Sequence, residues 1–156
     1  MNIAELISLN RVNRCTEIGS KKRVLEHVSE LLATDTARLG WNEIFDGLVS
    51  REKLGSTGLG KGVALPHGRM AMLEKPVCAF VKLDKPVDFD AVDNQPVDLI
   101  FALLVPENST EEHLQVLSTI AEVFSNMALC TALRECEAGS CILEQLYQWE
   151  SRRISA

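Results

Sequence analysis

Residues 98–105 read Asp-Leu-Ile-Phe-Ala-Leu-Leu-Val, and Pro106 follows. No polar residue between Leu99 and Val105 marks an outward face. Such a run predicts a strand buried on both faces, which requires cover on both sides of a sheet. It is far too short to cross a bilayer. Helical patterns before and after it supply the cover. Ser20 is placed to cap a helix from Lys21 to about Thr34, with Val24, Leu25, Val28, Leu31 and Leu32 on its apolar face. Gly40 ends that segment, and Trp41 to Lys53 predicts a second helix with Trp41, Ile44, Phe45, Leu48 and Val49 inward. Beyond Pro106, Ser109-x-x-Glu112 forms a capping box for a helix to about Phe124, with Leu114, Leu117, Ile120, Ala121 and Phe124 inward. Two shorter helices are expected near Met127 to Arg134 and Ser140 to Trp149, separated by Gly139.

The remaining strands are shorter. Ile3 to Leu9 predicts an opening helix, Arg14 to Ile18 a strand and Val77 to Leu83 another. Val63 to Pro66 predicts an edge strand, because proline cannot donate to a ladder. Phe89 to Asn94 is rich in turn-formers. Helices before, between and after strands give an α/β class, with a mixed sheet flanked by helices on both faces. With 156 residues and no repeat or linker, one domain over 1–156 is expected.

The chemistry concentrates in Arg51 to His67, R-E-K-L-G-S-T-G-L-G-K-G-V-A-L-P-H. Glycines at Gly55, Gly58, Gly60 and Gly62 permit positive φ and let backbone N–H groups converge on an anion. Ser56 and Thr57 add hydroxyl donors. Neither the P-loop nor the dinucleotide spacing is met, so the pattern points to a phosphoryl group borne on the protein. His67 is the candidate bearer, since a neutral imidazole nitrogen is a good nucleophile and a good leaving group from phosphorus. Its chemistry asks for two things. A cation such as Arg51 would lower its pKa, and an acceptor for the other nitrogen would fix the tautomer. Pro66 stiffens the approach, Gly68 leaves room for a donor, and Arg51 offers a planar fork to phosphoryl oxygens. The alternative is a strand-end histidine beside an ordinary glycine turn.

His113 falls in the first turn of a helix, where the dipole favours the neutral ring and an anion is welcome. Its alternative is a surface residue beside Glu111 and Glu112. His27 is placed at the edge of a core face, with no role assigned. A metal site from His67 and His113 lacks a third ligand at recognisable spacing, and neither metal nor cofactor is called for.

Composition narrows the partners. Lys plus Arg total 16 against 22 Asp plus Glu, a formal charge of −6, and no basic block is present. That argues against nonspecific nucleic-acid binding and for partners that carry a basic patch. The amino end shows no export signal and nothing is expected to insert in a membrane, so a cytoplasmic location is expected. Cys15, Cys78, Cys130, Cys136 and Cys141 form no C-x-x-C pair, and most of them are expected to be small buried residues in a reducing compartment.

Gly55 to His67, G-S-T-G-L-G-K-G-V-A-L-P-H, resembles the signature of the enzyme IIA domains of the bacterial phosphotransferase system, in the fructose/mannitol class. The resemblance extends from the Lys21 helix to Trp149 and is weakest before Ser20. Asp88 to Glu107 is similar to the nitrogen-regulatory branch. The resemblance implies the single-domain enzyme IIA type-2 fold and assigns roles. His67 would be phosphorylated at Nε2, Arg51 would be the active-site arginine, and His113 in E-E-H-L would line the same pocket. Ser56, Thr57, Gly58 and Gly60 would form the phosphate-side loop. A histidine phosphocarrier protein would be the donor, and regulatory targets would respond to phosphorylation state. The alternatives are a sugar-specific enzyme IIA that passes phosphate to a IIB domain, and an anion-binding module that forms no phosphohistidine.

Overall fold

The computed structural model describes residues 3–15, 17–36, 38–108 and 111–155, and the side chains of these except 4, 112–114 and 153–155. The elements in chain order are α1 (Ile3–Leu6), a 3-10 turn (Leu9–Arg11), β1 (Val12–Cys15), α2 (Lys21–Ala33), α3 (Trp41–Glu52), β2 (Gly58–Gly60), β3 (Val63–Ala64), β4 (His67–Met70), β5 (Val77–Val87), β6 (Val97–Pro106), α4 (Glu111–Phe124), α5 (Met127–Glu135) and α6 (Gly139–Ser155).

The long apolar run is the middle of the sheet. Strand order is β1-β5-β6-β3-β2, with β4 also on β6. β6 runs antiparallel to β5, and parallel to β3 through Leu99 and Ile100 and to β4 through Leu103 to Pro106. It is buried on both faces. Leu99, Phe101, Leu103 and Val105 pack under α1, α4, α5 and α6, while Ile100, Ala102 and Leu104 pack under α2 and α3. This two-residue alternation divides the core into two layers. Phe101 and Phe124 lie 5.2 Å apart between ring centroids in the first layer.

Ser20 caps α2 as expected, its Oγ accepting from Arg23 N at 3.2 Å. Ile44 and Leu48 of α3 are fully buried, but Trp41 faces outward at 45% exposure. It is the first residue of α3 and sits at its open end. The first strand begins at Val12 rather than Arg14, and α1 stops at Leu6. The Ser109–Glu112 capping box and the side chains of Leu114 and His113 lie outside the described residues.

The edge-strand expectation for Val63 to Pro66 is corrected. β3 is covered on its far side by β2, and Pro66 sits in the break between β3 and β4. Both short strands lie along β6, and Pro66 still serves as an acceptor, taking Leu103 N–H at 2.9 Å. A two-residue strand is too short for a period to show in sequence.

Cys136 and Cys141 are joined as a disulfide across the turn between α5 and α6, with Cα atoms 5.6 Å apart. The expectation of small buried cysteines in a reducing compartment did not include this bond. The chain folds back over a sequence separation of 5, so that the first turn of α6 meets the end of α5. Cys78 and Cys130 are buried thiols, and Cys15 is half-buried. Among the described residues no single helix is long and apolar enough to cross a membrane.

Candidate functional site

The last turn of α3 and the first residue of β4 bring Arg51 and His67 together. α3 packs on β4 closely enough that Gly68 lies against Gly47 and Leu48, buried beneath the helix. Gly68 is therefore part of the α3 contact and is not an opening for a donor. His67 stands at the mouth of this layer, half-buried.

Two hydrogen bonds define its ring. A carbonyl can only accept, so the 2.8 Å contact between Nδ1 and Leu65 O places a proton on Nδ1. A guanidinium can only donate, so Arg51 Nε, 3.2 Å from Nε2, meets a lone pair there. The neutral Nδ1–H tautomer follows, with the nucleophilic pair on Nε2. Burial pushes the imidazole below its ordinary pKa, and the Arg51 charge adds to that. The Leu65 carbonyl and the Glu52 charge oppose it. Both requirements read from the sequence, a nearby cation and a fixed acceptor, are present.

Arg51 is itself held. Its Nη1 donates to Gly55 O at 2.9 Å, while among the described residues Nη2 makes no hydrogen bond. A phosphoryl group on Nε2 would find a guanidinium beside it with a donor to spare.

The loop residues have other work in this state. Ser56 Oγ donates to Phe89 O at 2.7 Å and accepts from Gly58 N at 3.0 Å. Thr57 is buried, and both its N–H (3.2 Å) and its hydroxyl donate to the Glu52 carboxylate. A Cβ on Gly58 would lie 2.8 Å from Ala91 Cβ, so this glycine permits close approach to the turn at 88–94. Gly60 has φ +97° and faces Asp93, whose carboxylate accepts from Lys61 N at 2.8 Å. Gly62 has φ +82° and lies under Arg134, which bridges Asp98 and Lys61 O. The loop is thus fastened to two neighbouring segments.

Glu52 is the residue that sequence reasoning passed over. Its side chain is 5% exposed and pairs with Lys21 Nζ at 2.9 Å. The signal was present: a carboxylate in the last turn of a helix opposes the macrodipole and needs a partner. The His113 backbone lies in α4, and its side chain is outside the described residues.

Residues 5–149 match the family model for the phosphoenolpyruvate-dependent sugar phosphotransferase system, EIIA 2. The chain belongs to the phosphotransferase-system enzyme IIA type-2 family. A curated relative named nitrogen regulatory protein, from Pseudomonas aeruginosa, is 48% identical over 130 residues, 83% of this chain and 82% of that protein. The solved structure of nitrogen regulatory protein IIA-Ntr from Neisseria meningitidis matches with a TM-score of 0.87 and 44% identity, covering 92% of this chain and 98% of that one. A fructose-specific EIIA component from Haloferax volcanii is less similar, 32% identical over 91% of this chain and 89% of its own length. This enzyme IIA domain is therefore a phosphotransferase-system component whose relatives include the nitrogen-regulatory type.

Proposed function

We propose that this protein accepts a phosphoryl group on His67 Nε2 from a histidine phosphocarrier protein and regulates cytoplasmic target proteins according to whether it carries that group. The observation that supports this most strongly is the ring geometry: Nδ1–H is committed to Leu65 O, and the Nε2 lone pair accepts from the Arg51 guanidinium. Arg51 Nε–H turns from the Nε2 lone pair to the incoming phosphoryl oxygens, and neutral His67 attacks phosphorus in line. The bond from phosphorus to the donor's histidine breaks, and its electron pair returns to the donor ring. Arg51 meets the charge on the equatorial oxygens, a positioning and electrostatic role that requires no metal or nucleotide. The reading assigns the Ser56–Gly60 loop to shaping the phosphate side of the pocket, and His113 to lining it. Leu54, Leu59 and Val92 are exposed around the loop and give an encounter with a carrier its apolar contacts. The greater identity to nitrogen-regulatory relatives than to the fructose-specific one favours regulation over sugar uptake.

The test is incubation with phosphoenolpyruvate and the carrier cascade, read by intact mass. One acid-labile, base-stable phosphoryl gain is expected, absent in His67→Ala. Persistent labelling of that variant, or transfer onward to a IIB domain with sugar uptake dependent on this protein, would overturn the respective half of the proposal.

A further inference from the structure

A single line of hydrogen bonds runs from the start of α2 to the reactive ring. Lys21 Nζ pairs with Glu52 Oε2 at 2.9 Å, and lies 4.8 Å from the centre of the Phe89 ring. Glu52 accepts both the N–H and the hydroxyl of Thr57. Thr57 O accepts from Leu65 N at 3.0 Å. Leu65 O accepts from His67 Nδ1–H at 2.8 Å. Thr57 and Leu65 are buried, so the line cannot easily rotate.

We infer that Glu52 is a positioning residue for His67. Among the described residues it makes no hydrogen bond to the ring, whose partners are Arg51 and Leu65. It fixes Thr57, Thr57 fixes the Leu65 peptide, and the Leu65 carbonyl holds the proton on Nδ1 so that Nε2 stays nucleophilic. Glu52 also follows Arg51 in the same helical turn, and Arg51 reaches across to Gly55 O, two residues before Thr57. One carboxylate thus sets both walls of the pocket: the guanidinium side through Gly55 to Thr57, and the imidazole side through Leu65. Lys21 makes this arrangement tolerable, because a buried carboxylate without a cation would be strongly disfavoured. Asp90 lies 3.5 Å from the same ammonium but is exposed, so it adds little.

The role as positioning for transfer rests on the phosphohistidine proposal, while the tautomer claim does not. The experiment therefore reads both. Imidazole nitrogen shifts of the unphosphorylated protein, in the wild type and in Glu52→Ala, Glu52→Gln and Thr57→Val, report the tautomer without any donor. Single-turnover transfer at saturating phosphocarrier, with the carrier Kd measured separately, reports the chemistry. Wild type should show one Nδ1–H tautomer. Glu52→Ala should show a mixture, with transfer slowed at least tenfold and carrier Kd within twofold. Glu52→Gln keeps both links, its amide oxygen accepting from Thr57 N–H and its amide nitrogen donating to the Thr57 hydroxyl, and should recover the single tautomer and a rate within threefold of wild type. If Glu52→Ala does not fold, Thr57→Val decides, and it should also mix tautomers. A single tautomer and wild-type transfer in Glu52→Ala, or a single tautomer in Thr57→Val, would overturn the inference. If wild type shows one tautomer but never takes a phosphoryl group, the proposed function fails and the positioning line stands.

Discussion

Replacing Arg51 with Met removes the only cation that the described residues bring to His67 Nε2. The size of the effect can be worked from the geometry. The guanidinium Nε is 3.2 Å from Nε2, so phosphoryl oxygens attached there would sit within salt-bridge range of the remaining nitrogens. Unit charges about 4 Å apart near a protein surface interact by roughly 4 kcal/mol. Arg51 is only half-buried, and solvent screening reduces that to about 2 kcal/mol. Loss of a preorganised donor in a transition state sets an upper figure of about 3 to 4 kcal/mol. Single-turnover transfer should therefore slow by roughly 30- to 700-fold, taking about 1.4 kcal/mol per factor of ten. Arg51→Lys should regain only part of this, since an ammonium lacks the fork that bridges His67 and Gly55 O. The Met variant should also raise the His67 pKa modestly, because Arg51 is the second of the two influences that lower it, after burial. The assay is quenched-flow transfer from a phosphorylated carrier, with proton NMR titration of the ring. Transfer by Arg51→Met within threefold of wild type would refute the assignment of charge stabilisation to this side chain.

Two further outcomes follow from named contacts. His67 and His27 are both held below the ordinary histidine value, chiefly by burial, so each is neutral in the fold over a range where the unfolded chain binds a proton. Their stabilising contribution is complete above about pH 6.5 and is lost as pH falls through the folded values. Chemical denaturation across pH 7 to 5 should show stability falling with acidity, and an NMR midpoint for His67 at or above 6.5 would contradict the burial argument. Gly62→Ala places a Cβ 2.4 Å from Arg134 Nη2 and 2.9 Å from Asp98 Oδ1, at φ +82°. It should cost about 2 to 3 kcal/mol by urea unfolding, and a loss under 0.5 kcal/mol would show that the Arg134 bridge gives way freely.

Much of the frame could be read from the chain because its long elements carry a period. Leu99 to Val105 announced a strand needing two layers, and Ser20, Ile44 and Leu48 located two helices that provide one of them. The pieces that escaped were too short to have a period: β2, β3 and β4 hold only 3, 2 and 4 residues, and their order depends on pairing with β6. Trp41 escaped because helical spacing gives a face but not where the face ends. At the site, Arg51 and His67 were legible as chemistry, and the structure adds the tautomer. The glycines were legible as permissive backbone, but their use against Ala91, Asp93 and Arg134 depends on segments far along the chain. Glu52 was visible only as a charge at the wrong end of a helix.

The most direct measurement is phosphorus–nitrogen NMR on the uniformly nitrogen-labelled protein after phosphorylation by the carrier cascade. Phosphorus coupled to Nε2 of His67, with the proton still on Nδ1, is the expected result. Coupling to Nδ1, or to a ring other than that of His67, would contradict the account.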